Sequence, residues 1–304
     1  MSVASNDSWP RSIGVIGLGI MGSAIARHLV AAGRAVVGFD IDAGRAEALA
    51  GPRFRKAASV AVAAEEAGLL LTSLPAEGAL TAVIDGILEA PRRPGQALVE
   101  LSTLSLVCKQ REFERLAAAG IAMLDTPISG TGAQAAAGDI VLYVSGDEDL
   151  SQRCVAVFAD FSRKAIYLGP FGAGTKMKFV ANLLVAIHNV AAAEAVSLGL
   201  RCGLDPASLC EVLSAGAGQS RMLEVRGPMM VQGAYEPPTM KLDVWQKDMR
   251  LIKTFALASG AATPLFDATI PLYLAAAAEG HGQMDTAAVR LALEASAEAS
   301  AKQL

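Results

Sequence analysis

Basic residues are scarce in this sequence, and their scarcity excludes one large class of function. Lysine and arginine total 26 residues against 30 acidic residues, which gives a formal net charge of −4. A protein that grips nucleic acid through its phosphates needs a cluster of basic side chains. The sequence contains no such cluster, so we expect no nucleic-acid partner.

Cysteine and histidine are also few, and their spacing predicts no metal site. The four cysteines form no Cys-x-x-Cys pair, and the three histidines lie far apart in the chain. A structural zinc site needs thiolate and imidazole ligands in close sequence clusters. We therefore expect no bound metal, and free thiols in a reducing compartment.

Apolar segments of the kind that target or anchor a protein are missing as well. The segment formed by residues 1–11 is short and polar, whereas a secretory signal peptide carries an apolar core. The most apolar later stretch, residues 180–200, contains Asn182, His188, Asn189 and Glu194, which a membrane span rarely carries together. We expect a cytoplasmic protein without a membrane-spanning segment.

Short apolar runs alternate with helix-length segments in the first half of the chain. The runs lie at residues 12–17, 35–40, 69–74, 97–101, 121–125, 140–145 and 165–168. Such alternation predicts right-handed β-α-β crossovers, and the absence of polar alternation within the runs predicts parallel strands that are buried on both faces. The first half is therefore expected to form a doubly wound α/β domain.

The pattern changes after residue 169, where the strand signals end. Helices are predicted at residues 174–201, 241–259, 264–279 and 285–302, and another begins at Asp205-Pro206, with an N-cap aspartate before a proline. The sequence thus predicts two domains: an α/β domain over residues 1–170, and an all-helical domain over residues 171–304 that begins with a long helix.

A glycine-rich turn follows the first predicted strand and precedes a helix. In a G-x-G-x-x-G turn placed in this way, the first glycine permits the tight turn, the second lets a pyrophosphate approach the backbone, and the third packs the helix on the strand. We therefore expect a dinucleotide on a Rossmann-type fold, bound by Gly17, Leu18, Gly19, Ile20, Met21 and Gly22.

The end of the second predicted strand favours NAD over NADP. Asp40 stands where an acidic side chain accepts hydrogen bonds from the ribose hydroxyls of the adenosine half, and where it repels a 2′-phosphate. Ile41 follows it, rather than an arginine that would bind the phosphate. Arg45 is the alternative, since its side chain is long enough to approach a 2′-phosphate.

Polar residues recur along one face of the predicted helix at residues 174–201. Lys178 and Asn182 are four residues apart, and Asn189 lies about three turns beyond Lys178 on nearly the same face. Burying such a stripe is costly without a purpose, so the face is either a functional one or a solvated one.

Four segments in this order resemble the β-hydroxyacid dehydrogenase family, which includes 3-hydroxyisobutyrate dehydrogenase and tartronate semialdehyde reductase. They are GLGIMG at residues 17–22, LDTPISGTGAQAAAGD at 124–139, GAGTKMKFVAN at 172–182 and WQKDM at 245–249. The resemblance covers nearly the whole chain. It implies hydride transfer between NAD(P) and a small 3-hydroxy acid or its semialdehyde.

The resemblance also implies roles for individual residues. Lys178 matches the catalytic lysine, and Asn182 matches the asparagine that orients it and holds the substrate. Lys176 is the rival lysine, on a different face of the helix. The other implied positions are Ser129 and Gly130 in the substrate loop, Leu74, Pro75 and Thr103 beside the cofactor, and Lys247 near both substrate and cofactor.

Two departures from the family pattern leave the substrate open. Thr131 stands where the family has a second glycine after Ser-Gly, and we expect it to narrow the pocket and to offer its hydroxyl to the substrate. Leu106 replaces a proline of the segment that begins at Ser102.

Three other functions are possible for a chain with this pattern. An imine reductase has a similar fold but usually lacks the lysine, and 6-phosphogluconate dehydrogenase has a much longer helical domain. A non-catalytic dinucleotide-binding module would have no need for Lys178, Asn182 and Ser129. The apolar helical domain favours self-association, as a homodimer or a homotetramer.

Overall fold

The computed structural model describes residues 12–301. The chain divides into two compact units, and the division falls inside one long helix, between Lys178 and Phe179. The N-terminal unit is an α/β unit and the C-terminal unit is helical. This architecture confirms the predicted Rossmann-type domain followed by a helical one.

A six-stranded parallel sheet forms the centre of the N-terminal unit. Its strands are β1 (Ile13–Ile16), β2 (Val36–Phe39), β3 (Phe54–Lys56), β4 (Leu69–Thr72), β5 (Ala97–Glu100) and β6 (Ala122–Asp125). They are arranged in the order β3-β2-β1-β4-β5-β6. The order reverses between β1 and β4, and ligands bind at such a switch point, beyond the carboxyl ends of the strands.

Helices cover both faces of this sheet. They are α1 (Ile20–Ala31), α2 (Ala43–Glu47), α3 (Val60–Glu66), α4 (Glu77–Glu89) and α5 (Leu106–Ala118). Alternate residues of each strand enter two separate apolar cores, so that Leu71 and Val99 pack on one face while Leu70 and Leu98 pack on the other. Because both faces of each strand are buried, the strands are continuous apolar runs in the sequence.

A second, smaller sheet follows, and it changes the predicted strand series. It joins β7 (Ile128–Ser129), β8 (Val141–Val144) and β9 (Lys164–Tyr167), with α6 (Gly132–Ala136) and α7 (Glu148–Phe161) between them. The runs at 140–145 and 165–168 are strands, as predicted, but they do not extend the parallel sheet. The short strand β7 reverses the chain, so that β7 and β8 pair antiparallel while β8 and β9 pair parallel.

The C-terminal unit consists of helices among the residues that the structure describes. They are α8 (Ala173–Arg201), which begins in the N-terminal unit, α9 (Pro206–Ala215), α10 (Arg221–Gln232), α11 (Leu242–Ala258), α12 (Pro264–Ala276) and α13 (Val289–Ala301), with two short segments at Ala277–His281 and Thr286–Ala288. Asp205 caps α9 by accepting a hydrogen bond from the Ser208 N–H, and Pro206 is the first helical residue, as predicted. Phe179, Trp245, Phe266 and Tyr273 lie in a single apolar core.

Helix α8 is the one helix of residues 12–301 that is long and apolar enough to cross a membrane by length and composition, a test that the core helix of a soluble protein also passes. Two of its polar residues, Asn182 and Asn189, are hydrogen-bonded within the helical unit. Asn189 is fully buried, and its Nδ2 donates to the Tyr273 hydroxyl and to the Thr286 carbonyl, both at 2.9 Å. These contacts are typical of a helix packed inside a protein core.

Candidate active site

The glycine turn between β1 and α1 has the shape that a dinucleotide requires. A Cβ on Gly17 would lie 2.2 Å from the Ser73 carbonyl oxygen, and a Cβ on Gly22 would lie 1.8 Å from the carbonyl oxygen of Gly17. Gly17 also has a φ of +86°, which side chains rarely adopt. At Gly19, by contrast, the nearest atom is the Arg45 guanidinium, at 3.7 Å. Gly17 and Gly22 therefore close the turn, and Gly19 leaves one side of it open.

The first turn of α1 faces this open side. Gly19 is its N-cap and supplies no side-chain hydrogen bond to the helix. Unsatisfied N–H groups at a helix N-terminus attract phosphate through hydrogen bonding and the helix dipole. The turn thus fits a pyrophosphate.

Asp40 lies beside the turn, immediately after β2. Its Oδ2 accepts a hydrogen bond from the Leu18 N–H at 2.6 Å, and its Oδ1 accepts one from the Asp42 N–H at 2.8 Å. The Arg45 Nη1 lies 3.6 Å from the same Oδ2 and is half exposed. The acidic residue and its basic rival therefore lie together at the end of the second strand, where a dinucleotide's adenosine ribose binds.

Leu74 and Ser102 connect the ends of β4 and β5. The Leu74 N–H donates to the Ser102 Oγ at 2.8 Å, and Ser102 is buried. Pro75 and Thr103 follow these two residues in sequence. The predicted cofactor residues Leu74 and Pro75 lie in one loop, and Thr103 lies in another. The hydrogen bond between Leu74 and Ser102 joins these two loops.

The loop of Ser129 and Gly130 leads from β7 into α6, where Thr131 takes a role that the sequence did not predict. The Thr131 Oγ1 accepts from the Gln134 N–H at 3.4 Å, and the Gln134 side chain accepts from the Thr131 N–H at 3.0 Å. These two bonds form a capping box at the start of α6. The hydroxyl expected to serve the substrate is engaged in this cap. Gly130 has a φ of +150°, and a Cβ there would lie 2.8 Å from the Ile140 Cγ2.

Helix α6 packs against the helix of the glycine turn. The His28 Nε2 on α1 lies 3.0 Å from the Ala135 carbonyl oxygen and 3.1 Å from that of Ala136. At the other end of α6, a Cβ on Gly132 would lie 2.5 Å from the Ile20 Cγ2. The structure therefore brings the expected substrate loop next to the expected cofactor turn.

The first turn of α8 is held by residues from distant parts of the sequence. The Gly174 N–H donates to the Ser145 Oγ at 2.9 Å, and the Thr175 N–H donates to the Asp125 Oδ2 at 2.7 Å. The Thr175 hydroxyl donates to the Asp125 Oδ1, also at 2.7 Å. A Cβ on Gly174 would lie 2.8 Å from the Asp125 carbonyl oxygen, so glycine is needed for this close approach.

Lys178 lies one helical turn after Thr175 and is buried, with 8% of its surface exposed. Lys176 is exposed. The two lysines therefore occupy different environments on different faces of α8, as their spacing of two residues requires.

A buried lysine that sequence analysis overlooked lies behind this turn. Lys109 of α5 is fully buried together with Glu100 and Asp125. Its Nζ lies 2.5 Å from the Glu100 Oε2 and 2.8 Å from the Asp125 Oδ1, and it donates to the Ser102 carbonyl at 2.7 Å. Burial raises the pKa of Glu100 although the Lys109 ammonium opposes that shift. Burial alone would lower the pKa of Lys109, but the two carboxylates outweigh it and raise the pKa.

In the C-terminal unit, Asn182 and Lys247 share a partner. The Asn182 Nδ2 donates to the Asp248 Oδ2 at 2.9 Å, and the Lys247 Nζ lies 3.6 Å from the Asp248 Oδ1. Asn182 and Asp248 are buried, and Lys247 is partly exposed. Asp248 thus emerges as the residue that holds the Asn182 amide, a role that the sequence motif alone did not assign.

Comparison with known proteins identifies the family. Residues 12–169 match the model of the NAD binding domain of 6-phosphogluconate dehydrogenase, and residues 172–292 match that of the NAD-binding domain of NADP-dependent 3-hydroxyisobutyrate dehydrogenase. The chain is 35% identical to an L-threonate dehydrogenase of Cupriavidus necator, over 92% of this chain and 95% of that protein. The chain belongs to the β-hydroxyacid dehydrogenase family.

The solved structures of this β-hydroxyacid dehydrogenase family agree with the fold. A 3-hydroxyisobutyrate dehydrogenase of Mycobacterium tuberculosis, solved with L-serine, has a TM-score of 0.84 to this chain at 29% identity, covering 93% of this chain and 99% of that one. An imine reductase of Streptomyces aurantiacus has a TM-score of 0.64 at 23% identity, covering 92% and 98%. At that identity the imine reductase shows a common fold alone.

Membership confirms the predicted class of enzyme and cofactor. The family consists of NAD(P)-dependent dehydrogenases and reductases of small hydroxy acids, and this β-hydroxyacid dehydrogenase carries the NAD(P)-binding domain. Within residues 12–301, no group of three or more histidine, cysteine or acidic side chains is placed to hold a metal ion.

Proposed function

We propose that this β-hydroxyacid dehydrogenase transfers a hydride between NAD and a small 3-hydroxy acid or its semialdehyde, with Lys178 as the general acid-base. The observation that carries the proposal is the setting of Lys178. Its amine belongs to a buried side chain one turn from the start of α8, which donates hydrogen bonds to Asp125 and Ser145, whereas Lys176 is exposed. A buried amine in a fixed position is what proton transfer requires.

The chemistry divides between cofactor and protein. The bound nicotinamide supplies or accepts the hydride. In reduction, the Lys178 ammonium donates a hydrogen bond to the substrate carbonyl oxygen, stabilises the negative charge that develops there and gives up a proton. In oxidation, the neutral Lys178 amine accepts the hydroxyl proton.

Other residues bind and orient. We assign the substrate carboxylate to the loop of Ser129, Gly130 and Thr131, with Thr131 acting through the cap that fixes this loop. We assign the reacting hydroxyl to Asn182, whose amide Asp248 holds, and charge screening near substrate and cofactor to Lys247. These roles rest on the family resemblance and on the contacts of each residue within its own unit.

The cofactor site favours NAD. We assign the pyrophosphate to residues 17–22, the adenosine ribose to Asp40, and the nicotinamide end to Leu74, Pro75 and Thr103. Asp40 supports NAD because its carboxylate repels a 2′-phosphate. Ile41 supports a bound adenosine half, since its side chain is 96% exposed and an aromatic base would cover it.

The remaining assignments are coarser. We propose that residues 1–170 form the dinucleotide-binding domain and that residues 171–304 form the substrate and oligomerisation domain. A homodimer or homotetramer is supported by exposed apolar side chains of the helical unit, namely Leu198, Val212, Leu257, Leu265 and Leu274. A cytoplasmic location is supported by the buried polar contacts of α8.

The test of the function is the turnover of the Lys178→Ala variant. We expect kcat to fall by about 10² or more while the affinity for NADH, measured by fluorescence titration, persists. Activity is followed by nicotinamide absorbance with a panel of small hydroxy acids and both NAD and NADP. Lys176→Ala is the matched control and should retain kcat. Near wild-type turnover in Lys178→Ala rejects the assignment.

A further inference from the structure

Polar side chains, two of them acidic, form a buried row at the carboxyl edge of the main sheet. Thr72, Glu100 and Asp125 are register partners at the ends of β4, β5 and β6, and all three are fully buried. The residues two positions earlier, Leu70 and Leu98 among them, lie in an apolar core. The carboxylates of this row therefore lie on top of an apolar layer, where charge is costly unless it is paired.

Lys109 supplies the pairing and joins two loops in doing so. Its ammonium contacts both carboxylates and the Ser102 carbonyl. Glu100 in turn accepts from the Ser102 N–H at 2.8 Å through its Oε1, and the Ser102 Oγ accepts from the Leu74 N–H. The Lys109 ammonium thus fixes two loops, the one that carries Leu74 and the one that carries Ser102 and Thr103.

The same cation fixes the start of α8 through Asp125. Both Asp125 oxygens are engaged: Oδ1 accepts from Lys109 and from the Thr175 hydroxyl, and Oδ2 accepts from the Thr175 N–H. Ser145 completes the arrangement, with its Oγ 3.2 Å from the Asp125 Oδ2 and its hydrogen bond from Gly174. A carboxylate at a helix N-terminus is favoured by the dipole, and its cation holds it in one orientation.

We propose that Lys109 and Asp125 are positioning residues for Lys178. Thr175 and Lys178 are three residues apart, so they lie on the same side of successive turns of α8. A shift of the first turn of α8 therefore also moves the Lys178 amine. A buried ion set is not in itself more stabilising than apolar packing of the same shape. Its use here is to fix geometry: it links the proposed catalytic helix to the loop at Leu74. This inference rests on the proposed function of Lys178.

The Lys109→Met variant removes the cation itself, but it leaves two buried carboxylates without a counter-charge and can prevent folding. Thr175→Val is milder, because it keeps the shape of the side chain and removes one hydrogen bond to Asp125. We expect Thr175→Val to lower kcat about tenfold or more, with substrate KM and NADH affinity little changed, and Thr175→Ser to restore kcat. Thr269→Val is the matched control: Thr269 is a buried threonine of α12 whose hydroxyl donates to the Phe266 carbonyl at 2.7 Å.

A double-mutant cycle separates positioning through Lys178 from a general structural effect. In a Lys178→Ala background, Thr175→Val should leave the residual rate unchanged, because the group that it positions is gone. Amide hydrogen exchange in the first turn of α8 should be faster in Thr175→Val and in Lys109→Met, and unchanged in Thr269→Val.

The outcomes are distinct. Wild-type kcat in Thr175→Val, or an equal loss with and without Lys178, overturns the positioning role while leaving the proposed function in place. Wild-type turnover in Lys178→Ala overturns the proposed function itself.

Discussion

Replacing Lys109 with methionine should destabilise the N-terminal unit in a manner that depends on pH. The substitution keeps the length of the side chain but removes the ammonium that contacts Glu100, Asp125 and the Ser102 carbonyl. All three side chains of the ion set are inaccessible to water. Two carboxylates are then left without a cation in an apolar setting.

The size of the effect follows from this burial. Removing one partner of a buried ion pair typically costs about 3–5 kcal/mol, because the remaining charge is uncompensated. Folded domains are stable by about 5–15 kcal/mol, so this loss is a large share of the total. By comparison, an exposed ion pair contributes about 0–1 kcal/mol.

The pH dependence has a definite sign. Burial already raises the pKa of Glu100 against the opposing Lys109, and removing Lys109 raises it further. A carboxyl whose pKa is higher in the folded state favours folding below its unfolded pKa and loses that contribution as the pH rises through the folded pKa. The Lys109→Met defect should therefore be largest in alkaline buffer and should shrink on acidification, by at most about 1.4 kcal/mol per pH unit for the Glu100 carboxyl.

Urea denaturation followed by far-ultraviolet circular dichroism over a pH series measures this effect. Lys56→Met is the matched control, since the Lys56 Nζ forms an ion pair with Glu47 at 2.8 Å on the surface. We expect the control to be little changed in stability at every pH, because an exposed ion pair contributes little. A Lys109→Met variant that is as stable as the control, or whose defect does not grow with pH, would refute the reasoning.

Two further predictions concern the cofactor and substrate loops. Asp40→Ala should raise the ratio of NADP to NAD activity, measured as kcat/KM with each cofactor, because the repulsion of a 2′-phosphate is removed; an unchanged ratio would move the selectivity to Arg45. Thr131→Ala should cost about 1 kcal/mol of stability through loss of the α6 cap, measured by urea denaturation, while Thr131→Ser retains the cap. An increase in substrate KM without a change in stability would instead place the Thr131 hydroxyl on the substrate.

Much of the fold was predictable because its signals are local. Uninterrupted apolar runs predicted the buried parallel strands, and Asp205-Pro206 predicted the start of α9. The edge strand β3 (Phe54–Lys56) was missed because it is three residues long and two of them are charged and exposed. Strand β7 has two residues and no periodicity, and it is this strand that turns β8 and β9 into a separate sheet.

The candidate site divides in the same way. The glycine turn and Asp40 are read from the sequence because each residue has a local role on a known strand-turn-helix unit. The Glu100–Lys109–Asp125 set was missed because Lys109 lies within a polar segment of α5 that reads as a solvent-facing surface. One signal was present: Glu100 interrupts an apolar strand, and a charge at such a position demands a buried partner.

Because α8 begins in the N-terminal unit and continues into the C-terminal unit, it limits where the chain can be cut or joined to another sequence. A break at residue 170, in the segment between the two regions that match family models, would leave Asp125 on one piece and Thr175 on the other. An isolated N-terminal half would then keep the contacts of Asp125 with Lys109 and Ser145 but lack the Thr175 N–H and hydroxyl, which donate one hydrogen bond to each Asp125 oxygen. A hybrid joined there would combine a carboxylate from one parent with a helix start from the other. Truncations and hybrids that keep the chain together through Lys178 preserve the native contacts of the first helical turn.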